Sequence, residues 1–323
     1  MPASTALGAS PAKGGNAMNW PEHFSQGNHL AHTPLAELTT FRIGGPAHVL
    51  TLERVEDLDA ALAVHPKWVL GKGANILVSD DGCQRPVLRL GRQFSATQWV
   101  EEGLLRVGAA HDLALLIGRC CREGWGGLEG LSGVPATVGG ALCMNAGTAS
   151  RWFFDCVERV QVLLPNEGVP VWIERGKTDP VYRSSGFPAG TFFIGCELRL
   201  SRGEPEELLA TARAMKAAKA ASQPLSAASA GCIFKNPSPE MPAGRLVEEL
   251  GLKGMRLGGA QISEVHGNFI INTGNARASE VAALVRRIRA RAQEERGISL
   301  AMEIQLWDLD AELFEPQAED LSW

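Results

Sequence analysis

The segment SAGCIFKNP, residues 229–237, places a thiol, a cation and an amide in one short stretch that begins with a turn and ends at a proline. Its cysteine, Cys232, could pack in a core, bind a metal ion, attack a substrate or donate a proton. No His or Cys lies at metal-ligand spacing around it, so a metal site is a poor interpretation. The choice among the other roles depends on which residues the fold brings close to the thiol.

Two ionised residues elsewhere stand in contexts that could also serve chemistry. Arg183 follows the only tyrosine of the chain, Tyr182, in the segment YRSSGF. Its guanidinium could hold a carboxylate or phosphate through two parallel hydrogen bonds. Glu303 is the only ionised residue in the apolar run SLAMEIQLW, residues 299–307. Taken alone, the arginine is typical of a surface ion pair and the glutamate of the exposed face of a strand.

Three glycine-rich segments lie in the first half of the chain: TTFRIGGPA (39–47), LGKGANILVSD (70–80) and GLEGLSGVPATVGGALCMNAG (127–147). Glycine allows backbone N–H groups to approach an anion and to adopt positive φ angles. For any one segment, a tight connection between strands explains the pattern equally well. The chain contains neither G-x-G-x-x-G nor a P-loop. The three segments together therefore favour one large phosphate-bearing ligand that is bound by neither of those motifs.

The elements that must position these residues alternate between short apolar runs and turns. The predicted strands cover residues 47–52, 67–80, 86–90, 104–109, 157–164 and 192–200. The predicted helices cover residues 57–63, 112–123, 204–221, 244–252 and 279–295. In the last helix Val281, Leu284, Val285 and Ile288 form an i, i+3, i+4, i+7 stripe. Its opposite face predicts a solvated surface, because it carries Arg286, Arg287, Arg289 and Arg291. The expected fold class is α+β.

Composition and charge limit the function classes. The chain has 323 residues, of which 45% are hydrophobic and 21% charged, as in a folded soluble protein. Its seven cysteines form no C-x-x-C pair, which predicts reduced thiols. The net charge of −5 comes from an acidic C-terminal stretch that predicts a solvated tail, and the near-neutral body argues against nucleic-acid binding. No apolar run is long enough for a membrane helix, and we expect a cytoplasmic protein.

These segments, taken in order, resemble the UDP-N-acetylenolpyruvoylglucosamine reductases, flavoenzymes that make UDP-N-acetylmuramate for peptidoglycan. The resemblance covers about residues 38–306. It rests on TFRIGGPA, GKGANILVSDDG, GLEGLSGVPATVGGALCMNAG, YRSSGF, AGCIFKNP, GRLVEELGLKGMRLGGAQIS and the late Glu303. It implies a noncovalent FAD in a two-lobed PCMH-type domain, a smaller α+β substrate-binding domain, NADPH as hydride source and a UDP-sugar substrate. No long tyrosine-bearing insertion separates Arg183 from Cys232, which is similar to the shorter family type that lacks an extra substrate-covering loop.

The resemblance also implies a division of the chain. From the sequence we expect a disordered N-terminus over residues 1–20, and the resemblance implies an FAD-binding domain over residues 21–203 with lobes at about 21–92 and 93–203. Residues 204–308 form the substrate-binding domain, and residues 309–323 form the acidic tail. The expected protein is a monomer that binds neither nucleic acid nor membrane and holds no metal. The alternatives are another noncovalent FAD oxidoreductase on the same scaffold and a nucleotide-binding or scaffolding protein without activity.

Residue roles follow from the same resemblance. Arg183 and Glu303 would stabilise a substrate enolate, and Cys232, where most members have serine, would protonate it. The implied substrate-binding residues are Tyr182, Lys235, Asn236 and Lys253. The implied FAD-binding residues are Arg42, Gly71, Lys72, Gly73, Ala74, Asn75, Ile76, Gly133, Val134, Thr137, Gly139, Gly140, Asn145 and Gly147. The chain departs from the usual family residues Asn, Gly, Ser and Gly at Thr39, Lys72, Ala74 and Ala136, and has Thr-Ala-Ser for Ala-Tyr-Gly at residues 148–150.

Overall fold

The computed structural model describes residues 28–63, 66–148, 151–165 and 167–321. The N-terminal segment that the sequence predicts to be disordered, residues 1–20, lies outside the described residues. Within them, no helix combines the length and the apolar character that crossing a membrane would require.

The strands are β1 His29–Pro34, β2 Pro46–Leu52, β3 Trp68–Leu70, β4 Ile76–Val78, β5 Val87–Leu90, β6 Thr97–Glu101, β7 Leu104–Gly108, β8 Trp125–Gly126, β9 Val157–Leu163, β10 Val171–Glu174, β11 Phe192–Arg199, β12 Ser201–Arg202, β13 Ala228–Cys232, β14 Arg256–Leu257, β15 Ala260–Ile262, β16 Phe269–Asn272 and β17 Gln305–Trp307. The α-helices are α1 Leu58–Ala63, α2 Leu113–Arg122, α3 Val138–Cys143, α4 Pro205–Ser222, α5 Ala243–Glu249 and α6 Ala278–Arg296. The predicted strands and helices are therefore confirmed, with ends that differ by a few residues, and the segment 67–80 divides into two strands joined by a turn.

Three larger sheets organise the fold. The first has the order β1-β2-β5-β3, with β2, β5 and β3 parallel and β1 antiparallel at one edge. The second is antiparallel, with the order β10-β9-β11-β7-β6. The third, β13-β16-β15-β14, is antiparallel and shares its core with α5 and α6. This mixture of helix and strand confirms the α+β fold class.

The ends of helices α2 and α6 are fixed by residues that the sequence places there. Asp112 caps α2 by accepting hydrogen bonds from the N–H groups of Ala114 (2.8 Å) and Leu115 (3.1 Å). In α6 the Glu280 carboxylate accepts a hydrogen bond from the N–H of Arg277 at 3.0 Å, and the helix ends at Gly297 with a φ of 66°. The predicted apolar stripe of α6 is fully buried, so the helix is fixed against the third sheet.

A parallel pair of short strands brings the end of the chain back to its beginning. β17 pairs with β4 through the register Gln305 to Ile76, Leu306 to Leu77 and Trp307 to Val78. The N–H of Gln305 also donates to the carbonyl of Asn75 at 2.9 Å. This pairing places Glu303, two residues before β17, directly beside the glycine-rich turn between β3 and β4.

The acidic C-terminal segment differs from the solvated tail that its composition predicts. Phe314 is only 1% exposed and joins the core under α6. Arg289 donates from Nη1 to the carbonyl of Phe314 at 2.7 Å, and Arg286 pairs through Nε with Asp320 at 3.1 Å. The prediction is wrong because it treated the arginine face of α6 and the acidic segment separately, whereas each supplies the partner of the other.

We expect Phe314→Ala to lower the free energy of unfolding by about 3–5 kcal/mol, the usual cost of removing a buried phenylalanine. Urea denaturation measures the change. The matched control is Leu313→Ala, because Leu313 is 47% exposed, and we expect less than about 1 kcal/mol there. Equal small effects of the two substitutions would show that this segment does not stabilise the body of the protein.

Candidate active site

Arg183 occupies a tight turn with an unusual backbone conformation. Val181 and Ser184 exchange two backbone hydrogen bonds of 3.1 Å, and Arg183 between them has a φ of 58°. The left-handed region is unfavourable for a residue with a side chain as long as arginine. Such conformations persist where the surroundings hold them, and they concentrate at functional sites.

The guanidinium of Arg183 is held on several sides. Nε donates to Glu303 Oε1 at 2.6 Å, and Nη1 donates to the carbonyl of Gly147 at 3.4 Å. The guanidinium carbon lies 5.0 Å from the ring centre of Tyr182 and 6.0 Å from that of Trp152. Within the described part of the chain, Nη2 has no hydrogen-bond partner. The arrangement therefore fixes the cation and leaves one nitrogen free to bind a ligand oxygen.

Glu303 is fixed through its backbone as well as its carboxylate. Its N–H donates to the carbonyl of Ile233 at 2.8 Å, and its carbonyl accepts from Asn75 Nδ2 at 3.2 Å. Burial raises the pKa of the carboxyl, whereas Arg183 and Lys235 act in the opposite direction. A carboxylate beside an enolate needs either a proton or a cationic partner, and the structure supplies Arg183 as that partner.

Cys232 ends β13 immediately after a distortion of the strand. Gly231 has a φ of 79°, and the pairing of β13 with β16 is irregular between Ser229 and Cys232. Burial, followed by the nearby Glu303, raises the pKa of the thiol to about 12, although Arg183 and Lys219 oppose the shift. The group is therefore a protonated thiol near neutral pH, which suits a proton donor better than a nucleophile or a metal ligand.

The turn between β3 and β4 is suited to bind a phosphate-bearing cofactor. Among the described residues, the N–H groups of Lys72, Gly73 and Ala74 donate no hydrogen bond to the protein. Gly73 has a φ of 62°, so successive N–H groups can converge on one anion. The Lys72 ammonium pairs with Asp112, the cap of α2, and therefore fixes the turn while its backbone N–H stays available.

The third glycine-rich segment meets this turn. A Cβ on Gly71 would lie 2.8 Å from Thr137 Oγ1, and that oxygen accepts the N–H of Gly140 at 3.2 Å to cap α3. A Cβ on Gly139 would approach Ala109 to 3.0 Å, so glycine is needed for the close packing there. Two segments separated by more than forty residues thus form one cradle with unpaired donors, and the residues present fit FAD.

Other predicted cofactor residues have structural roles or exposed positions. Asn145 is buried and links its segment to the Arg183 turn, because its amide donates to the carbonyl of Val181 at 3.2 Å. A Cβ on Gly147 would lie 2.4 Å from the ring of Trp152. Arg42 is exposed in the left-handed region, with a φ of 54°. The remaining predicted residues are core or loop positions near the cradle: Asn75, Ile76, Gly133 and Val134.

The predicted substrate residues divide into two groups. The positive charge of Lys235 lowers the pKa of Glu303, and the N–H of Asn236 donates to the Tyr182 hydroxyl at 3.4 Å. Lys235, Asn236 and Tyr182 therefore lie at the site. Asn236 Oδ1 also accepts the N–H of Ala243 at 3.0 Å at the start of α5. Lys253 instead pairs with Glu248 at 3.2 Å. None of its described contacts joins it to the other three.

Besides Trp152, whose ring lies beside Arg183, sequence reasoning missed two further residues of the site. Thr40 donates from Oγ1 to the carbonyl of Ser229 at 2.7 Å and to that of Gly73 at 3.2 Å, and so joins the cradle to the strand that carries Cys232. Lys219 of α4 acts electrostatically on Cys232. Thr40 lies in a glycine-rich segment but carries no distinguishing signal, and Lys219 lies in an alanine-rich helix that predicts no inward cation.

Comparison with known proteins agrees with this geometry. Residues 46–173 match a family model described as an FAD binding domain. Residues 223–307 match one described as the C-terminal domain of UDP-N-acetylenolpyruvoylglucosamine reductase. The cradle and these matches define an FAD-dependent oxidoreductase with a second domain fused after the flavin domain.

Similar whole chains make the assignment more specific. A UDP-N-acetylenolpyruvoylglucosamine reductase of Thermus thermophilus is 41% identical over 84% of this chain and 97% of its own. Reductase 1 of Bacillus anthracis is 36% identical over 87% and 95%. The crystal structure of the enzyme from Thermus caldophilus aligns with a TM-score of 0.77 and 40% identity, covering 87% of this chain and 99% of that one. The chain belongs to the UDP-N-acetylenolpyruvoylglucosamine reductase family, which confirms the resemblance seen in its sequence.

Proposed function

We propose that the protein reduces UDP-N-acetylglucosamine enolpyruvate to UDP-N-acetylmuramate, with NADPH as the source of hydride. The observation that carries the proposal is the convergence of Arg183, Glu303 and Cys232 beside the FAD cradle. One cation with a free N–H, one carboxylate that fixes it and one protonated thiol are the groups that reduction of an enol ether needs. The noncovalent binding of FAD, the cytoplasmic location, the monomeric state and the domain boundaries predicted from the sequence are part of the same proposal.

FAD held in the cradle would supply hydride to the outer carbon of the enolpyruvyl double bond. Negative charge then develops on the adjacent carbon and on the substrate carboxylate. Arg183 offsets that charge through its free Nη2, and its fixed position makes this interaction stronger than it would be in water. Glu303 holds the guanidinium in place, and the aromatic rings of Tyr182 and Trp152 limit its movement.

Cys232 completes the reaction by general acid catalysis. Its S–H bond breaks as a C–H bond forms at the negatively charged carbon, and the electron pair of the S–H bond stays on sulfur. Because the thiol sits at the end of β13, it delivers the proton from one face of the substrate. Lys235, Asn236 and Tyr182 lie next to it and would bind the substrate diphosphate, with Lys253 a more distant candidate.

The purified protein should be yellow, and denaturation should release intact FAD because the cradle offers backbone donors for a noncovalent cofactor. Anaerobic addition of NADPH should bleach the flavin, and the enolpyruvyl substrate should restore its absorbance. Flavin absorbance measures both steps. Reoxidation by oxygen but not by substrate would favour another oxidoreductase on this scaffold, and a colourless protein that takes up no FAD would favour a nucleotide-binding protein without activity.

A further inference from the structure

The strand that carries Cys232 leaves its sheet immediately after the thiol. β13 ends at Cys232, which pairs with Phe269 of β16. The next backbone bond runs from the N–H of Ile233 to the carbonyl of Asn268 and measures 2.9 Å. Phe234 follows and is fully buried. Because a buried backbone N–H and carbonyl both require partners, the partners of Phe234 decide where the chain lies after the thiol.

The side chain of Asn268 supplies both partners. The N–H of Phe234 donates to Asn268 Oδ1 at 2.9 Å, and Asn268 Nδ2 donates to the carbonyl of Phe234 at 2.8 Å. Within the described part of the chain, these are the only hydrogen bonds of the Phe234 backbone. Asn268 is 2% exposed, so both bonds are shielded from water. An amide offers a donor and an acceptor side by side, whereas an ionised carboxylate offers only acceptors and an alkyl group offers neither.

Asn268 is itself held by a buried histidine. Its N–H donates to His266 Nδ1 at 3.1 Å. His266 packs against the backbone of Gly244, where a Cβ would approach the ring atom Cε1 to 2.5 Å, and its ring meets that of Phe269 at 5.1 Å and 71°. Burial lowers the pKa of His266, so Nδ1 is available as an acceptor near neutral pH. The amide of Asn268 is therefore fixed before any substrate binds.

The opposite edge of residues 232–235 holds Glu303. The carbonyl of Ile233 accepts the N–H of Glu303 at 2.8 Å, and the N–H of Lys235 donates at 2.8 Å to the carbonyl two residues before Glu303. Residues 232–235 therefore lie between Asn268 on one edge and the segment that ends at Glu303 on the other. A shift of this segment would displace the thiol relative to both neighbours.

We propose that Asn268 is a positioning residue for proton delivery, whose side-chain amide fixes the segment that carries Cys232 where the thiol can protonate the substrate. This inference rests on the proposed function, because it assumes that Cys232 is the proton donor. Catalytic groups are sensitive to such placement, since a displacement of about 1 Å caused by a distant substitution can slow a reaction by about 10²-fold.

Asn268→Leu removes the donor and the acceptor and keeps a branched side chain. In the FAD-loaded protein, reoxidation by saturating substrate should slow by about ten- to a hundredfold, while reduction by NADPH stays near the parent rate. The solvent isotope effect on reoxidation should rise, because a misplaced donor makes proton transfer slower relative to the other steps. Stopped-flow flavin absorbance in H2O and D2O measures these rates. The matched control is Thr273→Val, which removes a 2.9 Å side-chain bond to the carbonyl of Gly259 beyond the other end of β16 and should change neither half-reaction.

Asn268→Asp keeps the shape of the side chain and covers the case in which the leucine variant does not fold. A protonated carboxyl can still donate to the carbonyl of Phe234, whereas a carboxylate cannot. Burial raises the pKa of such a carboxyl, so reoxidation should be near the parent rate at acid pH and should fall as the pH rises through that pKa. The parent protein is the reference for this profile, because it contains the same other charged or titratable groups around the segment: Cys232, Arg183, Lys219, Lys235, His266 and Glu303.

Hydrogen exchange followed by mass spectrometry tests the placement of the segment without substrate. The peptide that contains residues 232–236 should exchange faster in Asn268→Leu than in the parent, and at the parent rate in Thr273→Val. Unchanged exchange, a folded leucine variant that substrate reoxidises at the parent rate, or equal slowing of its two half-reactions would overturn the proposal. An aspartate variant that matches the parent at every pH would overturn it as well. Failure of the proposed function itself would instead appear as absence of reoxidation in the parent protein, with the exchange result intact.

Discussion

Replacement of Cys232 by alanine is expected to slow reoxidation of the flavin by the enolpyruvyl substrate by about 10²–10⁴-fold, the usual contribution of a positioned acid. The physical reason is that the thiol is protonated and half-buried at the end of β13, beside the Arg183–Glu303 pair. Flavin reduction by NADPH requires no proton from this thiol and should proceed near the parent rate. Stopped-flow absorbance at the flavin band resolves the two half-reactions.

Cys232→Ser is the informative companion to the alanine variant. Serine keeps a proton donor of similar size, so substantial reoxidation should remain. In the parent protein, a thiol pKa raised to about 12 means that the acid form persists below that value, so the reoxidation rate should show no decline due to Cys232 at mildly alkaline pH. An alanine variant that substrate reoxidises at the parent rate would make Cys232 a packing residue and would direct attention to Glu303 as donor.

The second large effect concerns Arg183→Lys. Lysine keeps the charge but loses the planar group that bonds Glu303 through Nε and Gly147 through Nη1 while leaving Nη2 for the substrate. We expect reoxidation by substrate to slow at least tenfold, which corresponds to about 1.4 kcal/mol of activation free energy. Reduction by NADPH should change little, and the same stopped-flow measurement gives both rates.

A matched change elsewhere controls for the loss of an arginine in general. Arg199 pairs with Glu101 in the second sheet region, where both side chains are about half exposed, so Arg199→Lys should leave both half-reactions near the parent rates. If Arg183→Lys slowed flavin reduction as much as reoxidation, its place beside the developing negative charge would be contradicted. The substitution would then be acting on the flavin cradle through Gly147.

Local sequence patterns predict much of the fold. The stripe in α6 and the alternation of apolar runs and turns depend on residues a few positions apart, and the structure confirms those elements. Arg183, Cys232 and Glu303 were also identified from the sequence, but their proximity was not derivable from it without the resemblance. The position of Glu303 depends on the pairing of β17 with β4, which joins segments more than two hundred residues apart and leaves no periodic trace.

The residues that sequence reasoning missed or misjudged share a physical cause. Thr40 forms side-chain hydrogen bonds to distant carbonyls. The segment that carries the buried Phe314 is held by an arginine of α6, because Arg289 donates to the carbonyl of Phe314. Lys219 lies in an alanine-rich helix with several cations, and nothing in the pattern distinguishes it from the others. In each case the deciding partner lies far away in the chain, where composition and spacing carry no information.

The parallel pairing of β4 with β17 has a consequence for how the protein is made. Synthesis on the ribosome proceeds from the N-terminus, so the turn after β3 emerges long before its neighbour at residues 305–307 exists. Phe41, Ile43 and Leu77 likewise lie in a core that is completed by residues of the third sheet, α5 and α6, which are synthesised later. A nascent chain can therefore form the second sheet and the contacts between the two cradle segments early, but Glu303 joins them only after nearly the whole chain has been translated. A translation product truncated before β17 would lack Glu303, the carboxylate that fixes Arg183, and with it the assembled catalytic site.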